Sequence, residues 1–320
     1  MIPFLASIPS PARNVIEVGP LTIHFYGIMI AIGVIVAVIV TRRRYERFGG
    51  SGETVERASI WAVVVGFLGA RLAYVSTHTG DFLDRPWAML YIWEGGLALY
   101  GGLVAGTIAA VIILRRSRGD VFAFGDAVAV GLPLAQAIGR LGNYFNQELF
   151  GTPSTLPWAV EIDANIAAAA GYPGSATFHP TFLYEALWNV FITMGVILLM
   201  ERRGKLFKGS SIALYMILYG TGRFLMELMR TDTTFRFLGL SRNGWVSIGA
   251  VLIGAVLFWW MQQRREERTL VGPPVFIAPG AETVPAMPDR HEAGAADVEA
   301  VADSATDDSA VDEESEAPPS

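Results

Sequence analysis

The most constraining feature of the chain is a series of apolar stretches, each long enough to cross a lipid bilayer. A helix needs about 20 predominantly apolar residues to span the hydrocarbon core. Six stretches meet this condition, and a weaker seventh is interrupted by Asp126 and Pro133. Asp126 is expected to cap the start of that weaker helix. In chain order the stretches are Leu21–Thr41, Ala58–Thr77, Gly95–Leu114, the weaker Val121–Ile138, Leu183–Met200, Ser210–Leu228 and Trp245–Met261.

Clusters of arginine and lysine favour seven spans over six. They follow the first, third, fifth and last stretches, as Arg42–Arg44 with Arg47, Arg115 with Arg116 and Arg118, Arg202 with Arg203, Lys205 and Lys208, and Arg264 with Arg265 and Arg268. Seven spans place every cluster on one side of the membrane, whereas six would move the last two clusters across. Because positively charged loops stay in the cytoplasm, we expect an all-α polytopic integral membrane protein with seven transmembrane helices. Its N-terminus is then extracytoplasmic and its C-terminus cytoplasmic.

The charge balance divides the chain into a basic body and an acidic tail. Residues 281–320 hold twelve acidic residues and one arginine, whereas residues 1–280 hold 18 acidic and 23 basic residues. The tail lacks hydrophobic periodicity, so we expect residues 269–320 to be disordered in the cytoplasm. The rest divides into an extracytoplasmic segment, residues 1–20, and a membrane domain, residues 21–268, with a small extracytoplasmic cap at about residues 140–182. No nucleic-acid partner is expected.

A polar segment of sequence GRLGNYFNQELFG ends the fourth stretch, from Gly139 to Gly151. It carries an arginine, a carboxylate and several side-chain amides where the bilayer is expected to end. A charged residue near the centre of a span costs roughly 2.5–3.5 kcal/mol, so it normally faces a partner or a cavity. The glycines argue against one continuous straight helix. We therefore expect a polar site here; the simpler alternative is that Arg140 reaches for lipid headgroups.

The predicted topology places further polar residues on the same side. Tyr219, Arg223, Glu227 and Arg230 follow the spacing i, i+4, i+8 and i+11, which puts them on one helix face. The simpler alternatives are an isolated ion pair between Arg223 and Glu227, and a turn at His179 where the fifth stretch begins. The other polar residues on this side are His24, Tyr26, Arg71, Glu94, Tyr100, Tyr184 and Glu185. Their convergence predicts a site at the outer surface of the membrane.

The available residue types favour phosphate binding. The four histidines are scattered, the spacings typical of zinc sites are absent, and no Gly-x-Ser-x-Gly sequence occurs. We therefore expect no metal ion and no other cofactor. Guanidinium groups match phosphate oxygens in a bidentate geometry. The sequence thus predicts that the site binds an anionic phospholipid and can stabilise a phosphate leaving group.

Several of these polar segments resemble the signatures of prolipoprotein diacylglyceryl transferases, a family of the bacterial inner membrane. They are GRLGNYFNQELFG at Gly139–Gly151, HPTFLYE at His179–Glu185, YGTGRFLMELMR at Tyr219–Arg230 and FYG at Phe25–Gly27. The resemblance runs from about Leu21 to Met261. It implies transfer of a diacylglyceryl group from phosphatidylglycerol to the lipobox cysteine thiol of a preprolipoprotein, with release of glycerol phosphate. The implied partners are phosphatidylglycerol, preprolipoprotein signal peptides and membrane lipids.

The resemblance also implies roles for individual residues. Arg140 would hold the phosphate of phosphatidylglycerol, and Arg223, oriented by Glu227, would be the second phosphate or transition-state arginine. The expected catalytic residues are Arg140, Glu148, Tyr219, Arg223 and Glu227. The expected phosphatidylglycerol-binding residues are Tyr26, Tyr100, Arg140, Asn143, Asn146, Gly151 and His179.

One position departs from the family pattern. Many members have a histidine before the Gly-Gly pair of the third span, whereas this chain has Tyr100. Because the pKa of tyrosine, about 10, exceeds that of a thiol, about 8.5, Tyr100 could accept the thiol proton only as a phenolate. The base is therefore left unassigned. Two rival functions are an anionic-solute transporter or channel, which the few ionisable residues in the cytoplasmic halves of the spans disfavour, and a non-catalytic lipid-binding scaffold.

Overall fold

The computed structural model describes residues 7–11, 13–19, 21–230 and 236–271 of the chain. Seven helices within these residues are long and apolar enough to cross a membrane, which confirms the predicted seven-span, all-α architecture. They are Phe25–Arg47, Gly52–Thr77, Leu99–Arg116, Val121–Phe145, Thr181–Arg202, Ser210–Met229 and Arg242–Arg264, called spans 1 to 7 below. The disorder expected for the acidic tail concerns residues that lie, apart from 269–271, outside the described part of the chain.

Span 4, the weakest stretch in the sequence, is the most deeply buried of the seven helices. It packs against spans 1, 5 and 6. Its start is capped by Asp120, whose carboxylate accepts the backbone N–H groups of Phe122 (2.9 Å) and Ala123 (3.0 Å). The expectation that Asp126 caps this helix is therefore wrong, because Asp126 lies more than one turn inside it and is fully buried.

Glycines let the spans pack at close range. An added Cβ on Gly33 in span 1 would lie 2.9 Å from the carbonyl oxygen of Ala135 in span 4. One on Gly106 in span 3 would lie 2.8 Å from the carbonyl oxygen of Ala62 in span 2. Such close backbones are typical of small-residue helix interfaces in membranes. The most extensive helix contacts join spans 1 and 4, spans 2 and 3, and spans 6 and 7.

Span 4 passes through the glycines that were expected to interrupt it. The helix continues past Gly139 and Gly142 and ends at Phe145. An added Cβ on Gly142 would lie 2.8 Å from Cδ2 of Tyr26, so this glycine allows the start of span 1 to approach the end of span 4. Only the second half of the polar segment therefore leaves the helix.

Span 5 changes its winding where it crosses the bundle. It is α-helical over Thr181–Leu187 and Gly195–Arg202, and π-helical over Trp188–Met194. Glu185 and Glu201, near its two ends, are both buried. In an uninterrupted α-helix the residues between them would make roughly four and a half turns, which would place the two acids on opposite faces. The wider turns of the π segment allow both acids to face the inside of the bundle.

Residues 146–180, which we call the cap segment, fold between spans 4 and 5. Two short antiparallel strands, Val160–Glu161 and Thr177–Phe178, flank the helix Ala164–Ala169. The hydrophobic core of this part contains Phe150, Val160, Ile162, Ala167, Phe178 and Phe182. Further short elements are the strand pairs Val15–Val18 with Leu21–His24 and Arg236–Phe237 with Leu240–Ser241, and the 3-10 turns Thr79–Phe82, Pro86–Leu90 and Ile92–Glu94. We call the end of the bundle that carries the cap segment the cap end.

At the opposite end, which we call the tail end, four buried charged side chains neutralise one another. The Arg44 guanidinium contacts both carboxylate oxygens of Glu201, at 2.8 and 2.9 Å. The Arg268 guanidinium, just after span 7, contacts Asp126 at 2.9 Å and Glu201 at 3.1 Å. Asp126 also accepts the backbone N–H of Ser211 at 2.8 Å. Asp126 therefore caps the start of span 6, and it does so from another helix.

Candidate active site

At the cap end, one carboxylate joins two arginines from different spans. Oε1 of Glu185, near the start of span 5, lies 2.5 Å from Nη2 of Arg140, near the end of span 4. Oε2 of Glu185 lies 3.8 Å from Nη1 of Arg223 in span 6. The side chain of Glu185 is 6% exposed, and those of Arg140 and Arg223 are 18% and 13% exposed. Spans 4, 5 and 6 thus meet at a largely buried charged centre.

A second carboxylate extends this centre along span 6. Oε2 of Glu227 lies 2.9 Å from Nη2 of Arg223 and 3.9 Å from Nη1 of Arg230. Its Oε1 accepts a hydrogen bond from the Ser241 hydroxyl at 2.6 Å. Because Glu185 also links Arg223 to span 4, the isolated ion pair considered from the sequence does not describe this arrangement.

The polar segment closes around Arg140 from the other side. Nη1 of Arg140 donates to Oδ1 of Asn143 at 3.3 Å. Nδ2 of Asn143 donates to Oε1 of Glu148 at 2.7 Å, and Nδ2 of Asn146 donates to the same oxygen at 3.3 Å. Protein groups therefore hold Arg140 on two sides, unlike an arginine that reaches for lipid headgroups.

Gly151 connects the polar segment to spans 5 and 6 through its backbone. Its N–H donates to the carbonyl oxygen of His179 at 2.9 Å, and it forms an antiparallel bridge with Arg230. An added Cβ would lie 3.0 Å from both Cβ of His179 and Cγ2 of Thr181. The absence of a side chain at Gly151 thus lets these three parts of the chain approach one another.

Two of the predicted tyrosines lie on the spans that build the centre. Tyr26 packs against Gly142, next to Asn143. Tyr219, one turn before Arg223 on span 6, is half-buried and stacks on Tyr215 with ring centroids 5.5 Å apart. Tyr26 therefore packs beside the residue that contacts Arg140, and Tyr219 lies one helical turn from Arg223.

Tyr100 and His179 make their side-chain hydrogen bonds with residues other than the arginines. The Tyr100 hydroxyl donates to Oδ1 of Asn243 at 2.7 Å and so joins the starts of spans 3 and 7. Nδ1 of His179 lies 3.1 Å from the Tyr184 hydroxyl, which accepts a hydrogen bond from Nε1 of Trp158 at 2.9 Å. His179 thus contacts the cap segment and the start of span 5.

Sequence reasoning assigned no role to Glu185 or Ser241. Glu185 was visible as a lone acid at the start of an apolar stretch on the side that carries the arginines, which is the signal that could have identified it. Ser241 carried no such signal, since its partner lies on another span. Arg71, grouped with the outer polar residues, donates instead to the backbone carbonyl oxygens of Ala88, Met89, Gly95 and Gly96. It fixes the connection between spans 2 and 3.

Arginines and carboxylates are equal in number at this site. The arginines are Arg140, Arg223 and Arg230, and the carboxylates are Glu148, Glu185 and Glu227. Nη1 of Arg223 is buried, and no described residue forms a hydrogen bond with it. The described ranges also contain no group of three His, Asp or Glu side chains placed to hold a metal ion. Because a buried donor without a hydrogen bond is costly, an anion that accepts from Nη1 of Arg223 would stabilise the site.

Comparison with known proteins gives a consistent result. Residues 13–260 match the profile of the family described as prolipoprotein diacylglyceryl transferase. A Streptomyces coelicolor protein named phosphatidylglycerol–prolipoprotein diacylglyceryl transferase 2 is 44% identical over 255 residues, which cover 79% of this chain and 80% of the relative. Relatives with the same enzyme name are 44% identical in Frankia casuarinae, over 79% of this chain and 61% of the relative, and 38% identical in Bifidobacterium adolescentis, over 83% of each. The match thus spans less than two thirds of the length of the Frankia protein.

Proposed function

Because the chain belongs to the prolipoprotein diacylglyceryl transferase family, we propose that it transfers the diacylglyceryl group of phosphatidylglycerol to the lipobox cysteine thiol of a preprolipoprotein. Glycerol phosphate is the second product. The chain is a multi-pass membrane protein. The observation that carries the proposal is the charged centre of Arg140, Glu185 and Arg223. Two guanidinium groups from different spans can bind one phosphate there.

In this reaction the substrate phosphate binds the two arginines beside Glu185, which keeps its ion pairs with them. The thiol sulfur attacks the glyceryl carbon that carries the phosphate ester, the C–O bond breaks, and glycerol phosphate leaves with the bonding electrons. Negative charge grows on the departing oxygen, and donors already aimed at it stabilise the transition state. Arg223 supports this role, because its buried Nη1 has no hydrogen bond within the described residues.

The other residues of the site would position these two arginines and the substrate. Glu227, with Ser241, holds Arg223, while Asn143, with Asn146 and Glu148, holds Arg140. Tyr26 and Tyr219 would line the substrate site, and Gly151 brings the polar segment close to spans 5 and 6. Tyr100 and His179 would contact parts of the substrates that lie away from the phosphate.

The proposed location is the bacterial cell membrane, with the N-terminus outside and the C-terminus inside. Arginine clusters support this orientation, because those in the last turns of spans 1, 3, 5 and 7 all belong to the tail end. Positive clusters remain in the cytoplasm. The charged centre then lies at the outer surface, where a lipobox cysteine emerges from a translocated signal peptide.

A transporter or channel would need a solute path from this centre to the tail end. The sequence argument that the tail-end halves of the spans carry few ionisable groups overlooked the buried cluster of Arg44, Asp126, Glu201 and Arg268. These four groups are paired with one another. Apolar side chains, among them Val130, Ile197 and Leu214, are buried between the cluster and the charged centre. The charges at the tail end are therefore matched by one another and give the transporter no support.

The test is diacylglyceryl transfer by the purified protein in lipid nanodiscs. Wild type should add the mass of a diacylglyceryl group to a lipobox peptide when phosphatidylglycerol is present, and should leave a Cys→Ser peptide unchanged. Arg140→Ala should lower the rate about 10²–10³-fold, the usual cost of losing one oriented donor. Arg85→Ala is the matched control, because Arg85 pairs with Glu94 at 3.6 Å in an exposed ion pair.

The outcomes separate the three candidate functions. Transfer that requires phosphatidylglycerol and Arg140 supports the transferase. Phosphatidylglycerol binding by wild type without any peptide product would favour the lipid-binding scaffold. Phosphatidylglycerol-independent uptake of anions into proteoliposomes would favour the transporter.

A further inference from the structure

The transfer reaction, as proposed above, needs a group that accepts the proton of the attacking thiol. A cysteine thiol has a pKa of about 8.5 and is mostly protonated at neutral pH. The Tyr100 hydroxyl donates a hydrogen bond to Oδ1 of Asn243 at 2.7 Å, so it is engaged as a donor. The acceptor has to be sought among the other groups of the site.

Two of the three carboxylates at the site are already matched by arginines. Glu185 lies 2.5 Å from Arg140 and 3.8 Å from Arg223. Glu227 lies 2.9 Å from Arg223 and 3.9 Å from Arg230. A proton on either carboxylate would break the ion pairs that hold the phosphate-binding arginines. Both acids are therefore suited to positioning.

Glu148 differs from these two acids in its partners. Its Oε1 accepts hydrogen bonds from the uncharged amides of Asn143 (2.7 Å) and Asn146 (3.3 Å). Within the described ranges Glu148 has no arginine or lysine partner, and its Oε2 accepts no hydrogen bond. Glu148 can thus take up a proton on Oε2 and keep every contact that holds Arg140.

The backbone on both sides of Glu148 is held in a rare conformation. Gln147 and Leu149 have φ values of 51° and 56°, in the left-handed region that residues with a Cβ seldom adopt. Neighbouring groups maintain it: Oε1 of Gln147 accepts the N–H of Asp163 at 2.7 Å, and the carbonyl oxygen of Leu149 accepts the Thr181 hydroxyl. Backbone strain of this kind clusters at active sites. Here it places Glu148 beside the amide that contacts Arg140.

We propose that Glu148 is the catalytic base of the transfer and that its Oε2 accepts the proton of the lipobox thiol. The S–H bond breaks and the proton binds Oε2, while sulfur forms its bond to the glyceryl carbon. The C–O bond to the phosphate breaks in the same step, and glycerol phosphate leaves with its phosphate bound by Arg140 and Arg223. The proton then passes from Glu148 to the departing phosphate or to water, which restores the carboxylate.

Few charged or titratable groups lie near this carboxylate in the described part of the chain. Arg140 faces it from span 4 through Asn143, and Glu185 lies beyond Arg140 on span 5. His179 and Arg230 are both joined to the polar segment by the backbone of Gly151. The pH dependence of the reaction rate therefore reports on Glu148, these groups and the substrate thiol.

The experiment compares two nucleophiles in phosphatidylglycerol nanodiscs. One lipobox peptide carries cysteine, and the other carries selenocysteine, whose selenol is already ionised at neutral pH and needs no base. Glu148→Gln should lower transfer to the cysteine peptide about 10²–10⁴-fold at pH 7, the usual contribution of a general base. Transfer to the selenocysteine peptide should stay within about tenfold of wild type. Glu161→Gln, which changes an exposed glutamate of the cap segment, is the matched control.

Two further measurements complete the test. The cysteine-peptide rate of Glu148→Gln should rise with pH towards about 8.5, where the thiol ionises by itself, and should rise more steeply than that of wild type. Glu148→Asp, which keeps a carboxylate, should transfer faster to the cysteine peptide than Glu148→Gln.

The outcomes distinguish this inference from the proposed function. Equal losses of Glu148→Gln with both peptides, in protein that keeps its unfolding temperature, would overturn the base assignment and leave the transferase intact. Wild-type rates in Glu148→Gln would overturn it as well. A wild type that transfers to neither peptide would overturn the proposed function, and this inference with it.

Discussion

Replacing Glu185 with glutamine should destabilise the bundle, because it leaves two arginines without their shared counter-ion. The Glu185 side chain is 6% exposed and lies 2.5 Å from Arg140 and 3.8 Å from Arg223. Removing one partner of a buried ion pair costs roughly 3–5 kcal/mol. Since the two arginines retain some exposure, we expect the lower end of this range, about 3 kcal/mol.

The assay is reversible unfolding in zwitterionic mixed micelles, with the free energy of unfolding compared between variants. Glu94→Gln is the matched control, because Glu94 pairs with Arg85 at 3.6 Å on the surface and is 45% exposed. Exposed pairs of this kind contribute about 0–1 kcal/mol. Adding phosphatidylglycerol should restore part of the stability of Glu185→Gln, because a ligand that binds only the folded state stabilises it.

Two results would refute the reasoning. A loss in Glu185→Gln no larger than in Glu94→Gln would show that the charged centre does not act as a buried ion-pair network. An equal loss with and without phosphatidylglycerol would show that the lipid phosphate does not take the place of the missing carboxylate.

Three further predictions concern other parts of the molecule. A chain that ends at Val271 should keep the wild-type rate of transfer, whereas Arg268→Ala should lose roughly 3–5 kcal/mol of unfolding free energy, because Asp126 stays buried without its guanidinium partner. The same free energy of unfolding in Arg268→Ala and wild type would contradict this. Tyr100→Phe should slow transfer no more than about tenfold, since a single hydrogen bond contributes about 0.5–1.5 kcal/mol; a larger loss would place the hydroxyl on the reacting groups. Gly142→Ala should cost about 1–3 kcal/mol, as its Cβ would meet Cδ2 of Tyr26 at 2.8 Å, and unchanged unfolding would argue against that close contact.

The architecture was predictable because the signals for a span are local. A run of about 20 apolar residues marks each helix, and the arginine clusters distinguish seven spans from six. Span 4 was underestimated for the same reason. Asp126 lowers its apolar character, and the groups that pair with Asp126, the backbone N–H of Ser211 and the guanidinium of Arg268, come far later in the chain. A buried charge whose partners are distant in sequence resembles an interruption until the helices are assembled.

The sequence predicts which residues form the candidate site better than it predicts the contacts between them. Arg140, Arg223 and Glu227 were identified from their cost in a membrane and their spacing, and the structure joins them. Glu185 connects Arg140 and Arg223. From the sequence alone it was assigned no role, because its role depends on these two arginines from other helices. Tyr100 was interpreted only as a replacement of the histidine that many family members have at this position. Its hydrogen bond with Asn243 depends on how spans 3 and 7 pack, which the sequence does not show.

The partners in the tail-end cluster are synthesised at different times. Asp126 and the Arg268 that neutralises it are separated by 142 positions in the chain. At roughly 5–20 residues per second, a ribosome needs roughly 7–28 s to add the residues between them. Arg44 is synthesised before its partner Glu201, so the cation is present when that acid is added. Asp126, in contrast, enters the membrane before its partner Arg268 has been synthesised. A nascent chain cut short after span 7 but before Arg268 therefore has all its helices and an unmatched acid at its tail end. Its charge, and not its number of helices, distinguishes such a fragment from the finished protein.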